Sequence, residues 1–434
     1  MTGPLRLDIR EPGFAAAFDV LVNARREADE DVSRDVADII ARVRLDGDPA
    51  LAEYTSRFDR HDLQATGWLA TSAERKAALD GLDPELRKAL DLAADRIWTY
   101  HAAQKPADSE TIDAAGVRMG ARWTPVDAAG LYVPGGRAAY PSSVLMNALP
   151  ARVAGVDRLV MVTPTPDGVV NPLVLAAAEL AAVHEVYRVG GAQAIAALAY
   201  GTKTIAPVVK IVGPGNAYVA AAKRQVFGQV GIDMVAGPSE VVVIADKNND
   251  ASWIASDLLA QAEHDAAAQS ILITDNEAFG REVVASVEAQ LTTLPRADIA
   301  RASWASFGAV IVVERLDQAV LLTDRLAPEH LEIATAEPER LAGQIRNAGA
   351  IFIGRYTPEV IGDYVAGPNH VLPTARSARF ASGLSVLDFM KCTSILKLDA
   401  ESLNALSTEA MSLAKAEGLE AHRRSVAIRL NAKV

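Results

Sequence analysis

The chain has 434 residues, half of them hydrophobic and only 5% aromatic, which suits two or more α/β domains whose cores are built from small aliphatic side chains. Its 43 basic and 55 acidic residues give a formal net charge of −12, and the absence of any long basic run argues against nucleic acid or an anionic membrane surface as a partner. The single cysteine, Cys392, excludes a domain built on disulfides within the chain.

The N-terminal stretch Met1–Gly13 mixes charged residues with short apolar segments and lacks the apolar core of a secretion signal. No apolar run in the sequence approaches the length that crosses a membrane. We therefore expect a cytoplasmic protein.

The first quarter of the chain, Phe14–Gln104, has a helical pattern. Within it, Asp83 is a good N-cap residue and Pro84 suits the first turn of the helix that follows. The pattern changes near Val117, where short apolar strands begin to alternate with helices. Such alternation predicts parallel strands joined by helices that cover the faces of the sheet.

Two runs of alternating strands and helices follow, with a boundary near Ala236–Pro238. The first run comprises Gly130–Val133, Ser142–Ala154, Arg158–Val162, Pro172–Ala182, Glu185–Val189, Ala192–Tyr200, Val208–Val212 and Ala217–Phe227. The second comprises Val241–Ala245, Ala251–Ala262, Ser270–Thr274, Glu277–Gln290, Ala309–Val313, Leu316–Arg325, Leu331–Ala334 and Ala350–Ile353. We predict an α/β protein with two similar, incomplete Rossmann-like domains, parallel-rich sheets, and helical N-terminal and C-terminal segments. The last segment, about Asp399–Leu430, is expected to break at Gly418.

Three glycine-rich turns follow strands of the first run: Gly130-Leu-Tyr-Val-Pro-Gly-Gly136, Val189-Gly-Gly-Ala-Gln193 and Val212-Gly-Pro-Gly-Asn216. At the carboxyl edge of a parallel sheet, such turns let backbone N–H groups approach a phosphate. None matches the G-x-G-x-x-G fingerprint, so each is also explained as an ordinary tight turn. Their clustering in one unit favours a nucleotide site.

Histidine and carboxylate residues recur in polar segments of the second half. Gln261 and His264 lie three apart near the end of a predicted helix and therefore on one face, and Asp363 precedes His370 in a turn-rich loop. His and Asp are common zinc ligands, whereas a Gln oxygen is unusual, and no compact metal motif is present. For each residue taken singly, a capping or surface-network role is the more frequent explanation.

Three further segments contain reactive side chains. Glu329 and His330 are adjacent in an irregular segment, where both can face one cleft, and imidazole suits proton abstraction from an alcohol at neutral pH. Glu417 and His422 flank Gly418, whose turn could bring them to one side. Cys392 could trap an aldehyde, but we expect a small buried core residue because no base lies nearby in sequence.

Taken together, these segments resemble the histidinol dehydrogenase family over nearly the whole chain. The most specific stretches are Gly130-Leu-Tyr-Val-Pro-Gly-Gly136, Asp233-Met-Val-Ala-Gly-Pro-Ser-Glu-Val241, Asp257-Leu-Leu-Ala-Gln-Ala-Glu-His264, Ala327-Pro-Glu-His-Leu331 and Gly362-Asp-Tyr-Val-Ala-Gly-Pro-Asn-His-Val-Leu-Pro-Thr374. So many long matches in order are far more specific than any one motif. They favour a catalytic role for these segments over a purely structural one.

The resemblance implies a role for each candidate residue. Zinc would be held by Gln261, His264, Asp363 and His422, and Glu329 and His330 would be the acid/base pair. The substrate would contact Ser239, His370 and Glu417, besides His330 and the four zinc ligands, while NAD would contact Tyr132, Gln193 and Asn216. Manganese or cobalt would also suit this ligand set.

The resemblance further implies an NAD-dependent, four-electron oxidation of L-histidinol to L-histidine through an enzyme-held L-histidinaldehyde, at the end of histidine biosynthesis. The family is a homodimer whose active site is shared, so Glu417 and His422 would act across the subunit interface. The corresponding domains are residues 1–128 with 239–375 as the zinc and substrate domain, 129–238 as the NAD-binding domain, and 376–434 as a helical dimerisation segment.

Three alternatives predict different behaviour. A related zinc and NAD dehydrogenase acting on another polar alcohol, such as a sulfonated diol, is expected to lack residues that recognise histidinol, but His370, Glu417 and His422 are all present. An aldehyde dehydrogenase using Cys392 would be indifferent to chelators. A silent binding protein would form no NADH, and the Glu329–His330 pair argues against it.

Overall fold

The computed structural model describes residues 3–24, 32–135, 140–235 and 237–431. Gly136 and Ala236, which belong to a predicted turn and to the predicted boundary, lie outside these ranges. None of the helices in the described ranges is long and apolar enough to span a membrane.

The N-terminal part is one strand followed by six helices. They are β1 (Leu5–Asp8), α1 (Phe14–Asn23), α2 (Ser33–Asp46), α3 (Asp48–Asp59), α4 (Leu63–Thr66), α5 (Ser72–Asp80) and α6 (Pro84–Ala102). The Asp83 side chain caps α6 by accepting the N–H groups of Glu85 and Leu86, at 2.9 and 3.4 Å. The predicted helical region and its Asp-Pro start are therefore confirmed outside residues 25–31.

The next part contains seven strands and four helices. They are β2 (Ser109–Ile112), β3 (Arg118–Pro125), β4 (Ala128–Tyr132), α7 (Pro141–Ala154), β5 (Arg158–Val162), α8 (Pro172–Leu180), β6 (Glu185–Tyr187), α9 (Gly191–Tyr200), β7 (Lys210–Val212), α10 (Ala217–Val226) and β8 (Gly231–Ile232). Strands β4 to β8 form a parallel sheet in the order β6-β5-β4-β7-β8. The order reverses between β4 and β7, the place where open α/β sheets bind ligands.

The third part repeats this plan. It contains β9 (Glu240–Ala245), α11 (Ala251–Ala262), β10 (Gln269–Thr274), α12 (Glu277–Gln290), α13 (Ala297–Phe307), β11 (Ala309–Val312), α14 (Gln318–Leu326), β12 (His330–Ala334), α15 (Pro338–Ala342), β13 (Ala350–Ile353) and α16 (Glu359–Tyr364). Its strands and β1 form a six-stranded parallel sheet in the order β1-β11-β10-β9-β12-β13. The two predicted runs are confirmed, although the pattern did not reveal α13 or β1.

Helices cover both faces of each sheet, which explains the nearly continuous apolar strands. Helices α2 and α9 pack with side chains of the five-stranded sheet in one core, and α6 and α7 pack in another. Helix α1 lies in a core of the six-stranded sheet, and α11 to α13 in the other. The proposed assignment of residues 1–128 to one domain stays a prediction, since β1 joins the six-stranded sheet whereas α2 and α6 join the cores of the five-stranded sheet.

The C-terminal part contains β14 (Met390–Lys397), α17 (Ala400–Ala416) and α18 (Glu420–Ala427). Gly418 interrupts the helices with φ +73°, and the Leu419 N–H donates to Ala414 O at 2.8 Å, which is the predicted C-terminal turn. Strand β14 pairs antiparallel with β3, and β3 with β2, a sheet that the sequence pattern did not reveal.

The prediction that Cys392 is a buried core residue was wrong. Cys392 lies on β14 opposite Trp123 and is exposed. The core position was inferred from the lack of a nearby base in the sequence, which says nothing about burial. Strand β14 pairs with β3 and leaves most of its side chains uncovered within one chain.

A buried ion pair fixes the turn after β7. Lys223 donates to Gly213 O at 2.9 Å, the Gly213 N–H donates to Asp233 Oδ2 at 2.8 Å, and Lys223 and Asp233 pair with each other while each is about 2% exposed or less. Gly213 has φ +109°, and a Cβ there would lie 2.1 Å from Tyr132 O. Only glycine therefore fits at position 213. Lys223 and Asp233 together bind the backbone carbonyl and N–H of Gly213.

Removing one partner of this pair tests its contribution to stability. We expect Lys223→Met to lower the free energy of unfolding by about 3–5 kcal/mol, because Asp233 then stays buried without its counter-charge. The double variant Lys223→Met with Asp233→Asn should lose less, because no buried charge is left alone. Urea unfolding measures both, with Arg301→Ala at the exposed Arg301–Glu288 pair as a control of small effect. Equal loss in the single and double variants would contradict the argument.

Candidate functional site

The imidazole of His330 is the centre of a buried cluster at the amino edge of the six-stranded sheet. His330 is the first residue of β12 and is 5% exposed. Its Nδ1 lies 3.1 Å from the carbonyl oxygen of Glu240, the first residue of the neighbouring strand β9. Since a carbonyl only accepts, Nδ1 carries a proton and donates it. The other nitrogen, Nε2, is buried, and no atom of the described residues lies within hydrogen-bonding distance of it; Asp363 Oδ1, at 3.7 Å, faces it.

Glu329 reaches the same cleft as His330. The Glu329 Oε2 atom accepts the N–H of Glu240 at 3.0 Å and lies 3.7 Å from His330 Nδ1. Ala327, which ends α14, has φ +46°, an uncommon conformation for a residue with a Cβ. This irregular turn comes just before β12, so the adjacent Glu329 and His330 can both point inward, as predicted. The structure thus confirms that the two side chains share a cleft.

Helix α16 places two carboxylates on either side of His330. Glu359 and Asp363 are four residues apart and therefore face one way. Glu359 Oε2 lies 3.8 Å from His330 Nδ1, and Asp363 Oδ1 lies 3.7 Å from His330 Nε2. Gly362 permits this close packing, because a Cβ there would lie 2.5 Å from the Phe352 ring.

The carboxylates determine the charge preferred by His330. Burial opposes a positive imidazolium, but Glu329, Glu359 and Asp363 outweigh it and raise the pKa of His330 to about 10. Burial also raises the pKa of Glu359 to about 8, although the neighbouring His330 opposes that shift. The cluster is therefore a strongly coupled set of one imidazole and several carboxyl groups.

Gln261 and His264 join the cluster from the end of α11. Gln261 is 1% exposed, donates its amide N–H to Glu359 Oε1 at 3.0 Å and accepts the Glu240 N–H at 3.2 Å. His264 follows the helix end, is exposed, and interacts electrostatically with Asp363 and His330. Three of the four proposed zinc ligands, Gln261, His264 and Asp363, thus lie at one edge of the sheet.

Two of the proposed substrate contacts lie close to the cluster. His370 Nδ1 donates to the carbonyl oxygen of Asp363 at 3.0 Å, and His370 Nε2 lies 3.4 Å from Ser143 Oγ. Ser239 immediately precedes Glu240, and its carbonyl oxygen accepts the Gln269 N–H at 3.0 Å. The structure therefore brings both residues to the amino edge of the sheet.

Glu417 and His422 lie elsewhere in the chain. Both line a shallow groove between α17 and α18, as the predicted turn requires, together with apolar residues of the two helices. Among the residues in the described ranges, no three His, Cys, Asp or Glu side chains form a group that could hold a metal ion. Within one chain the proposed zinc set is therefore incomplete, because His422 is not beside the other three ligands.

The proposed NAD contacts lie at the carboxyl edge of the five-stranded sheet. Tyr132 ends β4 and accepts the Gly191 N–H at 3.1 Å through its hydroxyl, and burial raises the pKa of this phenol to about 12. Gln193 is buried in the first turn of α9, whereas Asn216 is exposed and caps α10 by accepting the Val219 N–H at 3.1 Å. All three residues adjoin the glycine turns that were predicted to be at this edge.

Four carboxyl residues of the site were missed from the sequence: the buried Glu240, Glu359 and Glu332, and the half-buried Asp257. Glu240 and Glu332 belong to apolar strands. Glu359 begins a helix of only six residues, which is too short to show a helical pattern of apolar residues in the sequence. The only available signal was a charged residue inside an apolar strand run. Such a residue needs a buried partner, because an unpaired buried carboxylate is costly.

A model of the histidinol dehydrogenase family matches residues 22–430. The chain belongs to this family. It is 64% identical to the histidinol dehydrogenase of Rhizobium meliloti (strain 1021) over 427 residues, 98% of each chain. It is also 64% identical to that of Nitrobacter winogradskyi over 428 residues, 99% of this chain and all of the relative. The crystal structure of histidinol dehydrogenase from Elizabethkingia anophelis has a TM-score of 0.94 and 36% identity, covering 99% of this chain and 98% of that one. These matches confirm the predicted family, fold class and assignment as a dehydrogenase.

Another histidine couples α6 to the loop that carries His370. His101 is fully buried, its Nδ1 donates to Ile97 O at 2.7 Å, and its Nε2 lies 3.4 Å from the amide nitrogen of Asn369. Burial lowers the pKa of His101 below its ordinary value. The folded protein therefore binds a proton here less readily than the unfolded chain does, so stability is lost as the pH falls below about 6.5.

We expect the midpoint of thermal unfolding to fall between pH 7 and pH 5 and to fall less steeply in His101→Gln, which has no proton to gain. Calorimetry at several pH values measures both slopes. The substitution lowers the midpoint at every pH, so the informative quantity is the difference in slope. Identical slopes in the two proteins would show that His101 does not contribute to acid destabilisation.

Proposed function

We propose that this protein oxidises L-histidinol to L-histidine in histidine biosynthesis, reducing two NAD per substrate through an L-histidinaldehyde that stays in the site. The reaction converts one alcohol, one water and two NAD⁺ into one carboxylate, two NADH and three protons. The observation that carries the proposal is the buried pair of Glu329 and His330, whose side chains lie 3.7 Å apart, in a chain of this family.

His330 is the proposed base in both oxidation steps. Because Nδ1 donates to Glu240 O, the neutral ring has its lone pair on Nε2, where it can accept the proton of the substrate hydroxyl as hydride leaves the carbon. The surrounding carboxylates favour the protonated ring, however. A dication held by Asp363 would oppose the negative charge of that carboxylate and so favour the neutral base.

Glu329 is the proposed activator of water. The aldehyde must take up water before a second hydride can leave, and a carboxylate beside the substrate can accept the proton of that water. The Glu240 N–H holds Glu329 Oε2 at 3.0 Å, which fixes the carboxylate relative to His330. The hydrate then loses its hydroxyl proton to His330 as in the first step.

Zinc fits the donors that the structure gathers. Gln261, His264 and Asp363 offer one amide oxygen, one imidazole and one carboxylate at the amino edge of the six-stranded sheet. The imidazole and the carboxylate are common zinc ligands, and the amide oxygen is an unusual one. When bound, zinc would orient the nitrogen ligands of the substrate. We propose that His422, which lies away from these residues, is contributed by a second copy of the chain.

NAD fits the reversal point of the five-stranded sheet. Tyr132 and Asn216 stand on β4 and after β7, the two strands that border this point, and Gln193 lies in the first turn of α9. When bound there, NAD would accept the hydride. The glycines also have a packing role: a Cβ on Gly190 would lie 2.3 Å from Pro164 Cβ. A structural role of these glycines in tight turns is therefore compatible with the proposed nucleotide site.

A homodimer would explain the exposed apolar surface of the C-terminal part. Large apolar side chains are exposed on α17, just before α18 and on the antiparallel sheet: Ile112, Met119, Ile395, Leu396, Leu406, Leu413 and Leu419. A surface of this kind marks an interaction site. We propose that residues 376–434 form the dimer interface and bring Glu417 and His422 to the partner's site.

We also propose that the protein is cytoplasmic.

The test is NADH formation from L-histidinol by purified protein. We expect two NADH per histidinol, loss of activity after chelation and recovery on adding zinc. His330→Gln should lower kcat by on the order of 10²–10⁴-fold, because the proton acceptor is gone. Cys392→Ala, at an exposed position on β14, should keep full activity.

Each alternative predicts a distinct result in the same assay. Faster turnover of a sulfonated diol than of histidinol would replace the substrate assignment. An inactive Cys392→Ala variant with chelator-resistant activity would support an aldehyde dehydrogenase mechanism. No NADH from folded, zinc-replete protein would contradict the proposed reaction altogether.

A further inference from the structure

Behind the His330 cluster lies a second pair of carboxyl groups that the proposed mechanism does not use. Glu332, on β12 two residues after His330, is 3% exposed. Its carboxyl group is hydrogen-bonded to that of Asp257, which lies on α11. Asp257 and Glu332 therefore connect α11 to the strand that carries His330.

The hydrogen bonds of Glu332 show which group carries a proton. One of its oxygens, Oε1, accepts the backbone N–H of Glu359 at 2.6 Å. The carboxyl group also hydrogen-bonds to Asp257, and two carboxylates in contact inside a protein cannot both be ionised. Burial, followed by the charges of Asp257 and Glu359, raises the pKa of Glu332 well above its ordinary value, and burial raises that of Asp257 to about 6. Glu332 is 3% exposed whereas Asp257 is only half-buried, so an ionised carboxylate is less favourable at Glu332. Glu332 therefore carries the proton and donates it to Asp257.

The bond from Glu332 to the Glu359 N–H occurs at the start of α16. This helix has only six residues and begins after Pro358, without any side-chain cap from its own N-terminal segment. The first N–H groups of a helix need acceptors from elsewhere. Glu332 supplies one and thereby ties α16 to β12.

The position of α16 determines the surroundings of His330. Glu359 and Asp363 lie 3.8 and 3.7 Å from the two ring nitrogens, and Glu359 also accepts the amide of Gln261 at 3.0 Å. A shift of α16 would therefore move the counter-charges of His330 and the partner of one proposed zinc ligand together.

We propose that Glu332, protonated and hydrogen-bonded to Asp257, is a positioning residue that holds α16 in register with His330 and thereby aligns Gln261 and Asp363 for metal binding. This proposal rests on the proposed function for its effect on catalysis, but its effect on α16 is independent of the reaction. Glu332 itself touches neither the substrate nor the metal.

The decisive comparison is between Glu332→Gln and Glu332→Ala. A Gln side chain accepts the Glu359 N–H and donates to Asp257 as the protonated Glu does, so kcat/KM and zinc affinity should stay within about threefold of the parent protein. Ala removes both bonds, and zinc affinity and kcat/KM should each fall by on the order of 10- to 100-fold, the usual effect of losing a group that orients a metal ligand. Zinc affinity is measured by competition with a chromogenic chelator, using zinc alone.

Crystal structures of the same two variants separate this proposal from the proposed function. We expect α16 to be displaced from β12 in Glu332→Ala and unmoved in Glu332→Gln, whether or not histidinol is a substrate. If Glu332→Ala does not fold, Asp257→Ala replaces it, because it removes the acceptor that orients the Glu332 carboxyl group. Zinc affinity and kcat/KM should then fall in the same direction but by less, since the bond to the Glu359 N–H remains. Equal impairment of Gln and Ala would overturn the assigned proton, and an unmoved α16 with unchanged zinc affinity in Ala would overturn the positioning role.

Discussion

The position of the His330 imidazole between α16 and β9 is the constraint on which the rest of the site depends. The Glu240 carbonyl fixes the tautomer of the ring, and Glu359 and Asp363 on one helix flank its two nitrogens. Burying this much charge is unfavourable unless every group is paired. The pairing explains why Glu329 and Gln261 both accept the N–H of Glu240 and why Gln261 donates to Glu359, at the amino edge of the central strands. Precise orientation of catalytic groups follows from the same bonds.

The two parallel sheets contribute opposite edges to the proposed enzyme. The five-stranded sheet presents its carboxyl edge, where Tyr132 and the Gly213 turn border the reversal of strand order. In the six-stranded sheet the proposed base lies at the amino edge instead, where His330 and Glu240 begin their strands. The usual rule for open α/β sheets thus describes the proposed cofactor site but not the acid/base site.

Periodicity predicted most of the fold because both sheets are parallel and covered on both faces. Strands such as β9 and β10 appear in the sequence as apolar runs between helical segments, and the pair Asp83-Pro84 predicted the start of α6. The antiparallel sheet of β2, β3 and β14 went unpredicted because its exposed side chains leave no apolar run, and the same exposure made the expectation for Cys392 wrong. In the site, single motifs left the roles of Gln261 and His264 open, and only the family resemblance assigned them. Glu359 and Glu332 stayed hidden because their partners are distant in sequence.

The central claim is that one chain holds an incomplete site and that a second copy supplies His422. Mixing two inactive proteins, His330→Gln and His422→Ala, tests this claim most directly. In a mixed dimer, the chain with an intact His330 would receive an intact His422 from its partner, so random subunit exchange should restore about a quarter of parent activity in NADH formation from L-histidinol. If subunits demonstrably exchange and no activity returns, His422 acts within its own chain or not at all, and the account of a shared site is wrong.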